Sequence, residues 1–279
     1  MSDTHAGHRL GLCNPNTLLQ QENQRGELEY KPVELSEVQK YLWELFENGL
    51  QEVKNLAGKD EIIFFHLGDV TQGNKYASEW ISTRISDQLM IGEMNLTLII
   101  ELPTVKTARL VMGTPSHSLY EGSSDITVAK LLSNKFPKKN IRTFYHGLAD
   151  IDGFTVDFAH HGPPTGSRTW LRGNEARYYL RNIMLSEIQN GNVPPQLFLR
   201  GHYHSYIKEY LCIDDAGTER ESWMVVMPSM CMLGDYGRMA TRSAFNITNG
   251  MIAVEIINGH FYKAHFFGKT MDIRTKEKI

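Results

Sequence analysis

Apolar positions follow two rhythms along this chain, and the rhythm changes near its middle. Over Glu34–Ala57, Val38, Tyr41, Leu42 and Leu45 recur at helical spacing, which predicts an amphipathic helix over 34–57. Glu61–His66 is a short apolar β-type run ending at Leu67-Gly68-Asp69. Residues 75–92 return to helical spacing. Ala108–Met112 reads as a strand ending at Gly113, and Ile126–Lys135 as a helix with Ser124 or Asp125 at its N-cap. Strands then crowd together. Arg142–Gly147 and Gly153–Ala159 alternate like paired strands around Asp150-Ile151-Asp152-Gly153. A helix over Asn174–Gln189 is followed by strands over Gln196–Arg200, Tyr206–Ile213 and Trp223–Met227. A terminal hairpin pairs Met251–Ile257 with Phe261–Phe267 across Asn258-Gly259, a two-residue turn signal. Residues 13–33 are polar, with few apolar anchors, and read as a loop. Strand–helix alternation first and consecutive strands later predict an α/β or α+β fold with a mixed central sheet.

Composition narrows the class. A chain of 279 residues suits a single domain over 1–279, with an insertion at about 13–60. Hydrophobic residues at 41% and charged residues at 22% are those of an ordinary globular protein. The net charge of −3 argues against bulk electrostatic capture of nucleic acid and leaves room for a local basic groove. Cys13, Cys212 and Cys231 form no CxxC pair, so reduced, buried thiols in the cytoplasm are expected. No run of about 18 apolar residues predicts a membrane span, and Met1–His5 carries no apolar signal-peptide segment.

The chemistry lies in five clusters. Asp3-Thr4-His5 opens the chain. Gly68-Asp69, Gly113-Thr114-Pro115-Ser116-His117, His160-His161-Gly162 and Gly201-His202-Tyr203-His204 each follow an apolar β-type run. Composition alone gives about 0.04 Gly-His-x-His matches, so the last is suggestive even in isolation. Loops at strand ends are where sites are grafted onto α/β sheets. A mixed Asp and His set without thiolates suits Mn²⁺, Fe²⁺ or Zn²⁺ rather than Ca²⁺. Two carboxylates and at least four imidazoles exceed the needs of one tetrahedral ion and suffice for two, provided one carboxylate bridges them.

The order D-x-H, G-D, G-N-H, H, G-H-x-H marks the calcineurin-like metallophosphoesterases, and the chain resembles that family from Asp3 to His204. Met227-Pro228-Ser229 also fits a turn the family places after its last motif. The resemblance implies a four-layer αββα sandwich with two mixed sheets and a dinuclear centre at the sheet edge. Two divalent ions, Mn²⁺ foremost, with Fe²⁺ or Zn²⁺ as alternatives, would serve as cofactors. Asp3, His5 and His204 would hold one ion, Asp69 would bridge, and His202 with His160 or His161 would hold the other. Alternation from Asp157 leaves that last choice open, with His160 preferred. The implied activity is hydrolysis of a phosphomonoester or phosphodiester by a metal-activated hydroxide, with a nucleotide or a nucleic-acid end as the preferred substrate class. The alternative is a metal-binding scaffold of the same fold with impaired catalysis.

Two departures stand out. The asparagine of Gly-Asn-His is missing from the third motif, where Thr114 follows the glycine and His117 comes three residues later. His117 is therefore expected either as a ligand of the second ion or as an acid or stabiliser at the phosphate. In the latter case water, Thr114 or a backbone group fills the coordination gap. Only two residues precede Asp3, so most of the strand usual before D-x-H is expected to be absent. Among other polar residues, Arg168, Arg172 and Arg200 are phosphate candidates, Arg200 foremost because it abuts Gly201. Trp170 and Tyr203 are stacking candidates. His66, His146, His260 and His265 read as structural, and His8 as an exposed loop residue.

Overall fold

Ser36 opens the first long helix, α1 (Glu37–Ala57), through a capping box. Gln39 N donates to Ser36 Oγ while Ser36 N donates to Gln39 Oε1. The computed structural model of the chain describes residues 1–75, 77–82, 84–164, 172–241 and 245–278, so Arg168 and Trp170 lie outside the described residues. The polar stretch before α1 is not a loop. β1 (Leu18–Glu22) and β2 (Leu28–Pro32) pair antiparallel, and Asn23 Oδ1 shapes their turn by accepting from Arg25 N and Glu27 N. Leu19 is the one buried residue of the two strands, so alternation left no apolar trace.

β3 (Ile62–His66), β4 (Val105–Val111) and β5 (Asn140–Phe144) form a three-stranded parallel sheet. The helical signal over 75–92 resolves into a short 3₁₀ turn at Ala77–Glu79 and α2 (Ile85–Ile100). Ser82 fixes the later start, accepting from Arg84 N and donating to Asp87 Oδ2. α3 (Ser123–Lys135) begins after Gly122, which places Ser124 and Asp125 inside its first turn, both buried, rather than at its cap. The run 142–147 divides at the exposed Tyr145. Its first half belongs to β5, and its second half enters β6 (His146–Ile151) of another sheet.

That sheet has five strands in the order β6, β7 (Phe154–Ala159), β8 (Leu197–Arg200), β10 (Thr218–Val226), β9 (Ile207–Asp215), and it mixes parallel and antiparallel pairs. α4 (Asn174–Gln189) and the short α5 (Asp235–Ala240) flank it in sequence. β11 (Asn246–Ile257) and β12 (His260–Asp272) form the terminal hairpin. Its turn has Asn258 at φ 52° and Gly259 at φ 73°, the left-handed pair that a two-residue turn requires.

Three apolar layers hold these elements. Leu96 and Ile100 of α2 and Leu132 of α3 pack on the β4 side of the three-stranded sheet, and Leu42 and Phe46 join the same core from α1, which lies against the terminal hairpin. Phe154, Phe158, Leu199 and Val225 fill the space between the two larger sheets. Ala176, Leu180 and Met184 of α4 cover the other face of the five-stranded sheet. Each fully buried Leu or Phe contributes about 1.5–3 kcal/mol. The fold is a mixed α+β arrangement with five helices and several sheets among the described residues. Its strands make four sheets among the described residues instead of the two mixed ones expected, because β11-β12 does not pair with the all-parallel β3-β4-β5 and β1-β2 stands as a hairpin of its own. Cys212 is exposed, against the expectation of buried thiols, because it lies on β9 at the edge of its sheet. Among the described residues, no helix is long and apolar enough to cross a membrane.

Candidate metal centre

The chain's first six residues lie along the end of β3. Leu67 N donates to Met1 O, Asp3 N to Gly68 O, His5 N to Asp69 O and Ala6 N to Val70 O, at 2.8–3.0 Å. This ladder sets Asp3-x-His5 beside Gly68-Asp69. Ser229 Oγ and Met230 N, from the Met227-Pro228-Ser229 turn, both donate to Asp3 O and hold the segment from its other side. The remaining clusters arrive at the C-terminal ends of β4, β7 and β8.

Close approach explains two glycines. A Cβ on Gly113 would stand 2.1 Å from Asp69 Oδ1, and one on Gly201 would stand 2.3 Å from Ser2 Oγ and 2.9 Å from Leu67 O. The backbone is strained where ligands are expected. Asp3, His5, Asp69, His202 and His204 all have φ between 44° and 71°, the left-handed region that non-glycine residues avoid. At about 1–3 kcal/mol per residue, such a concentration persists only where the surroundings over-determine it.

Two groups of donor atoms result. Asp3, His5 and His204 converge in one. His5 Nε2 and His204 Nε2 are 3.4 Å apart, and Asp3 Oδ1 lies 3.3 Å from His204 Nε2 and 3.9 Å from His5 Nε2. Asp3 Oδ2 is engaged by Ser2 Oγ and by His202 N. Asp3 Oδ1 is buried and accepts no hydrogen bond. A carboxylate oxygen with no hydrogen bond within the geometric limits, 3.3 Å and 3.9 Å from two imidazole nitrogens, is an arrangement that a cation would satisfy. His160, His161 and His202 form the second group. Asp69 and Asp3 link the two, lying with His160 in a third overlapping set.

Ring orientations are fixed from behind. His160 Nδ1 donates to Leu67 O at 2.5 Å, which aims Nε2 at Asp69 Oδ2, 3.2 Å away. His5 Nδ1 donates to Gln72 Oε1 at 3.0 Å, Gln72 Nε2 donates to Glu79 Oε2 at 3.2 Å, and His8 Nε2 donates to the same oxygen at 3.1 Å. His8 is buried, not an exposed loop residue, because Leu10 N and Glu79 occupy both its nitrogens. Asp125 ties together the loops after β3 and β4, accepting from Val70 N and Gly113 N. Sequence reasoning passed over Gln72, Glu79 and Asp125, whose spacing resembles no ligand motif.

Thr114, at the position where the third motif departs from Gly-Asn-His, lies among the second group. Its hydroxyl lies 3.2 Å from Asp69 Oδ2, 3.1 Å from His160 Nε2 and 3.2 Å from His202 Nδ1, and its amide donates to Asp69 Oδ1 at 2.6 Å. His117 is elsewhere. Its ring stacks edge-on against His5 at 4.6 Å between centroids, and Nδ1 donates to Gln72 O at 2.8 Å. His117 stands beside the Asp3–His5–His204 group, not with His160, His161 and His202. Both His160 and His161 reach the second group, His160 buried and His161 exposed.

Arg200 is corrected too. Its guanidinium is buried, 2.6 Å from Asp157 Oδ1 and over the rings of Tyr179 and Phe198. Strand alternation turns it away from the centre even though Gly201 follows it. Arg172 Nη2 instead bonds Ser205 Oγ and Tyr206 O, directly after His204. Tyr203 lies against His202 at 4.9 Å. His66 is buried beside Thr4 Oγ1, and His146 and His265 pair with Asp157 and Glu255.

Electrostatics separate the side chains into charged and neutral. Burial works against the Asp3 and Asp69 charges, but His204 and His160 hold their carboxyls below the usual carboxylate range. Burial opposes a charge on His160, yet Asp69 beside it pushes it up to about 10. Burial lowers His5 and His161, and lowers His202 to about 4, so these rings are neutral, as metal ligands must be. Burial pushes Asp125 up to about 7.

No family model matches the chain, and no curated protein matches it.

Proposed function

We propose that this protein is a metal-dependent phosphoesterase of the calcineurin-like type, with a fold of the four-layer αββα kind that the family resemblance implies. The observation that carries the reading is the unsatisfied, buried Asp3 Oδ1 facing His5 and His204, next to a second donor group joined to it through Asp69. The residues present fit two divalent cations, Mn²⁺ foremost: Asp3, His5 and His204 for one, His160, His161, His202 and Thr114 for the other, with Asp69 between them. Such ions supply a solvent nucleophile at neutral pH and charge compensation for phosphoryl oxygens.

The chain's own residues do the rest. Leu67 O and Gln72 Oε1 hold His160 and His5 in single tautomers, so each presents Nε2. His117 donates Nδ1–H to a carbonyl that can only accept, so its proton transfer to or from a phosphate oxygen passes through Nε2. A nucleotide or a nucleic-acid end is the preferred phosphate ester. The expected location is the cytoplasm.

A second reading, a metal-binding scaffold with impaired catalysis, is favoured by one observation, the threonine hydroxyl standing where a carboxamide ligand is usual. Hydrolysis of p-nitrophenyl phosphate and bis-p-nitrophenyl phosphate with added Mn²⁺ decides between them. The enzyme reading predicts turnover that Asp69→Asn and His202→Ala abolish, and the scaffold reading predicts no turnover with any divalent ion.

A further inference from the structure

β9 is the outermost strand of the five-stranded sheet, and among the described residues no strand pairs with its outer edge. Which of its groups face outward follows from β10. Trp223 N donates to Gln196 O and Met227 N to Arg200 O, so Trp223, Val225 and Met227 turn their backbone groups towards β8. The alternate residues of β10 bond β9, and their partners there, Ile207, Glu209, Leu211, Ile213 and Asp215, face inward. The N–H and C=O groups of Lys208, Tyr210, Cys212 and Asp214 therefore point away from the sheet, and all four residues are exposed.

The side chains of these four residues share one face of the sheet. Lys208 stands at one end. Its Nζ lies 5.4 Å from the centroid of the Trp223 ring, and among the described residues it is paired with no carboxylate. Asp214 stands at the other end, directly opposite Glu219 of β10. Like charges facing each other across a ladder are unfavourable, and Gly217 N is the donor that Asp214 receives. The edge therefore begins on an unpaired cation and ends on two carboxylates with no cation between them. On the opposite face, a groove of about 330 Å³ between α4 and β9 is lined by Leu185, Leu211 and Ile213, with the exposed Tyr178 beside them.

We propose that the β9 edge takes a second copy of the same chain, the two β9 strands running antiparallel about a two-fold axis at Leu211. In that register Lys208 of each copy faces Asp214 of the other, and Tyr210 of each faces Cys212 of the other. All four outward residues then exchange backbone hydrogen bonds, each ammonium meets the carboxylates at the far end, and the two Leu211 side chains meet at the axis on the side of the groove. Sliding the pairing by two residues sets Asp214 against Tyr210 or Lys208 against Cys212, so charge selects the register. The contact is the same patch on both copies, so it closes as a dimer and joins the two five-stranded sheets into one. β9 holds none of the proposed metal ligands, and the proposal is independent of the metal reading. An extended segment of another protein is the other occupant that such an edge suits.

Sedimentation equilibrium and cross-linking of the full chain test it. Wild type is expected to show a monomer–dimer equilibrium. Lys208→Glu sets like charges opposite each other twice in the dimer and should weaken association by about tenfold or more, and Lys208→Glu combined with Asp214→Lys should restore it. Leu211→Cys in a Cys212→Ser background should form a covalent dimer under oxidised glutathione, since residues facing each other at the axis come within disulfide reach. Ile213→Cys in the same background lies away from the axis and should not. Wild type that is monomeric at about 0.1 mM overturns the proposal and leaves the edge to a different protein. A dimer that Lys208→Glu leaves unchanged overturns it too, as does a covalent dimer formed as readily through Ile213→Cys as through Leu211→Cys.

Discussion

His160 Nε2 stands 3.2 Å from Asp69 Oδ2, both side chains are buried, and the ring cannot turn away because Nδ1 is fixed on Leu67 O. Without a cation the two form a buried imidazolium–carboxylate pair, and the same two atoms are the ones proposed to share an ion. Asp69→Asn removes the charge from both arrangements. Breaking a buried pair on one side costs about 3–5 kcal/mol. His160 can lose its proton in response, so the expected loss is nearer the lower figure. Urea unfolding of the metal-free protein measures it, and a midpoint equal to wild type would show that the pair is not formed.

Thr114 separates the proposed second ion from the first. Thr114→Val keeps the shape but removes the hydroxyl from a point near Asp69 Oδ2, His160 Nε2 and His202 Nδ1. The expected result is second-ion affinity weaker by about 10–100-fold, with first-ion affinity unchanged and Thr114→Ser close to wild type. Calorimetric titration with Mn²⁺ resolves the two events.

Gln72 is a positioning residue for His5. Gln72→Leu leaves His5 Nδ1 without its acceptor and Glu79 without one of its donors. First-ion affinity should fall about 10–100-fold while Gln72→Glu, which restores an acceptor for His5, recovers part of it. Indistinguishable titrations for the leucine and glutamate variants would show that the bond positions nothing.

Stability should depend on pH through groups outside the ligand set. Burial lowers His8 and His66 to about 3 each, from an ordinary 6.5. The unfolded chain then binds more protons than the folded one between those values, so stability is fully present above about 6.5 and is lost as pH falls towards 3. Two such groups give a slope approaching ~2.7 kcal/mol per pH unit in mid-window. Asp125, raised to about 7 from 3.8, acts in the opposite sense: its share is present below 3.8 and lost as pH rises to 7, which offsets about half of that slope. Urea midpoints of metal-free protein between pH 4 and 7 should therefore rise with pH, the more so because burial also lowers His5 and His202. A midpoint that falls over this range contradicts the assignment.

Gly201→Ala tests the packing of the centre. The added Cβ meets Ser2 Oγ at 2.3 Å, Leu67 O at 2.9 Å and Asp3 Oδ2 at 3.2 Å. Overpacking of about 1–3 kcal/mol is expected, with a lowered thermal midpoint and displaced Asp3. An unchanged midpoint would show that the close approach carries no constraint.

Much of this arrangement was legible in the sequence because its signals are local. The α1 and α4 periodicities, the Asn258-Gly259 turn and the motifs at the ends of β3, β4, β7 and β8 each lie within a few consecutive residues. The β1-β2 hairpin was hidden because its strands bury Leu19 alone. The start of α2 was hidden because a serine-based turn overrides helical spacing. Arg200 misled because adjacency to Gly201 says nothing about which face of β8 it occupies. The buried bonds of Gln72, Glu79 and Asp125, and the left-handed backbone of five site residues, join segments far apart in sequence, and no spacing encodes them.

The proposal of a cation pair is tested most directly by manganese content per chain after chelator treatment, reloading and gel filtration. Two equivalents are expected for wild type, falling to one or fewer in Asp69→Asn and His202→Ala. Wild type that retains none, or an Asp69→Asn protein that retains as much as wild type, would contradict it.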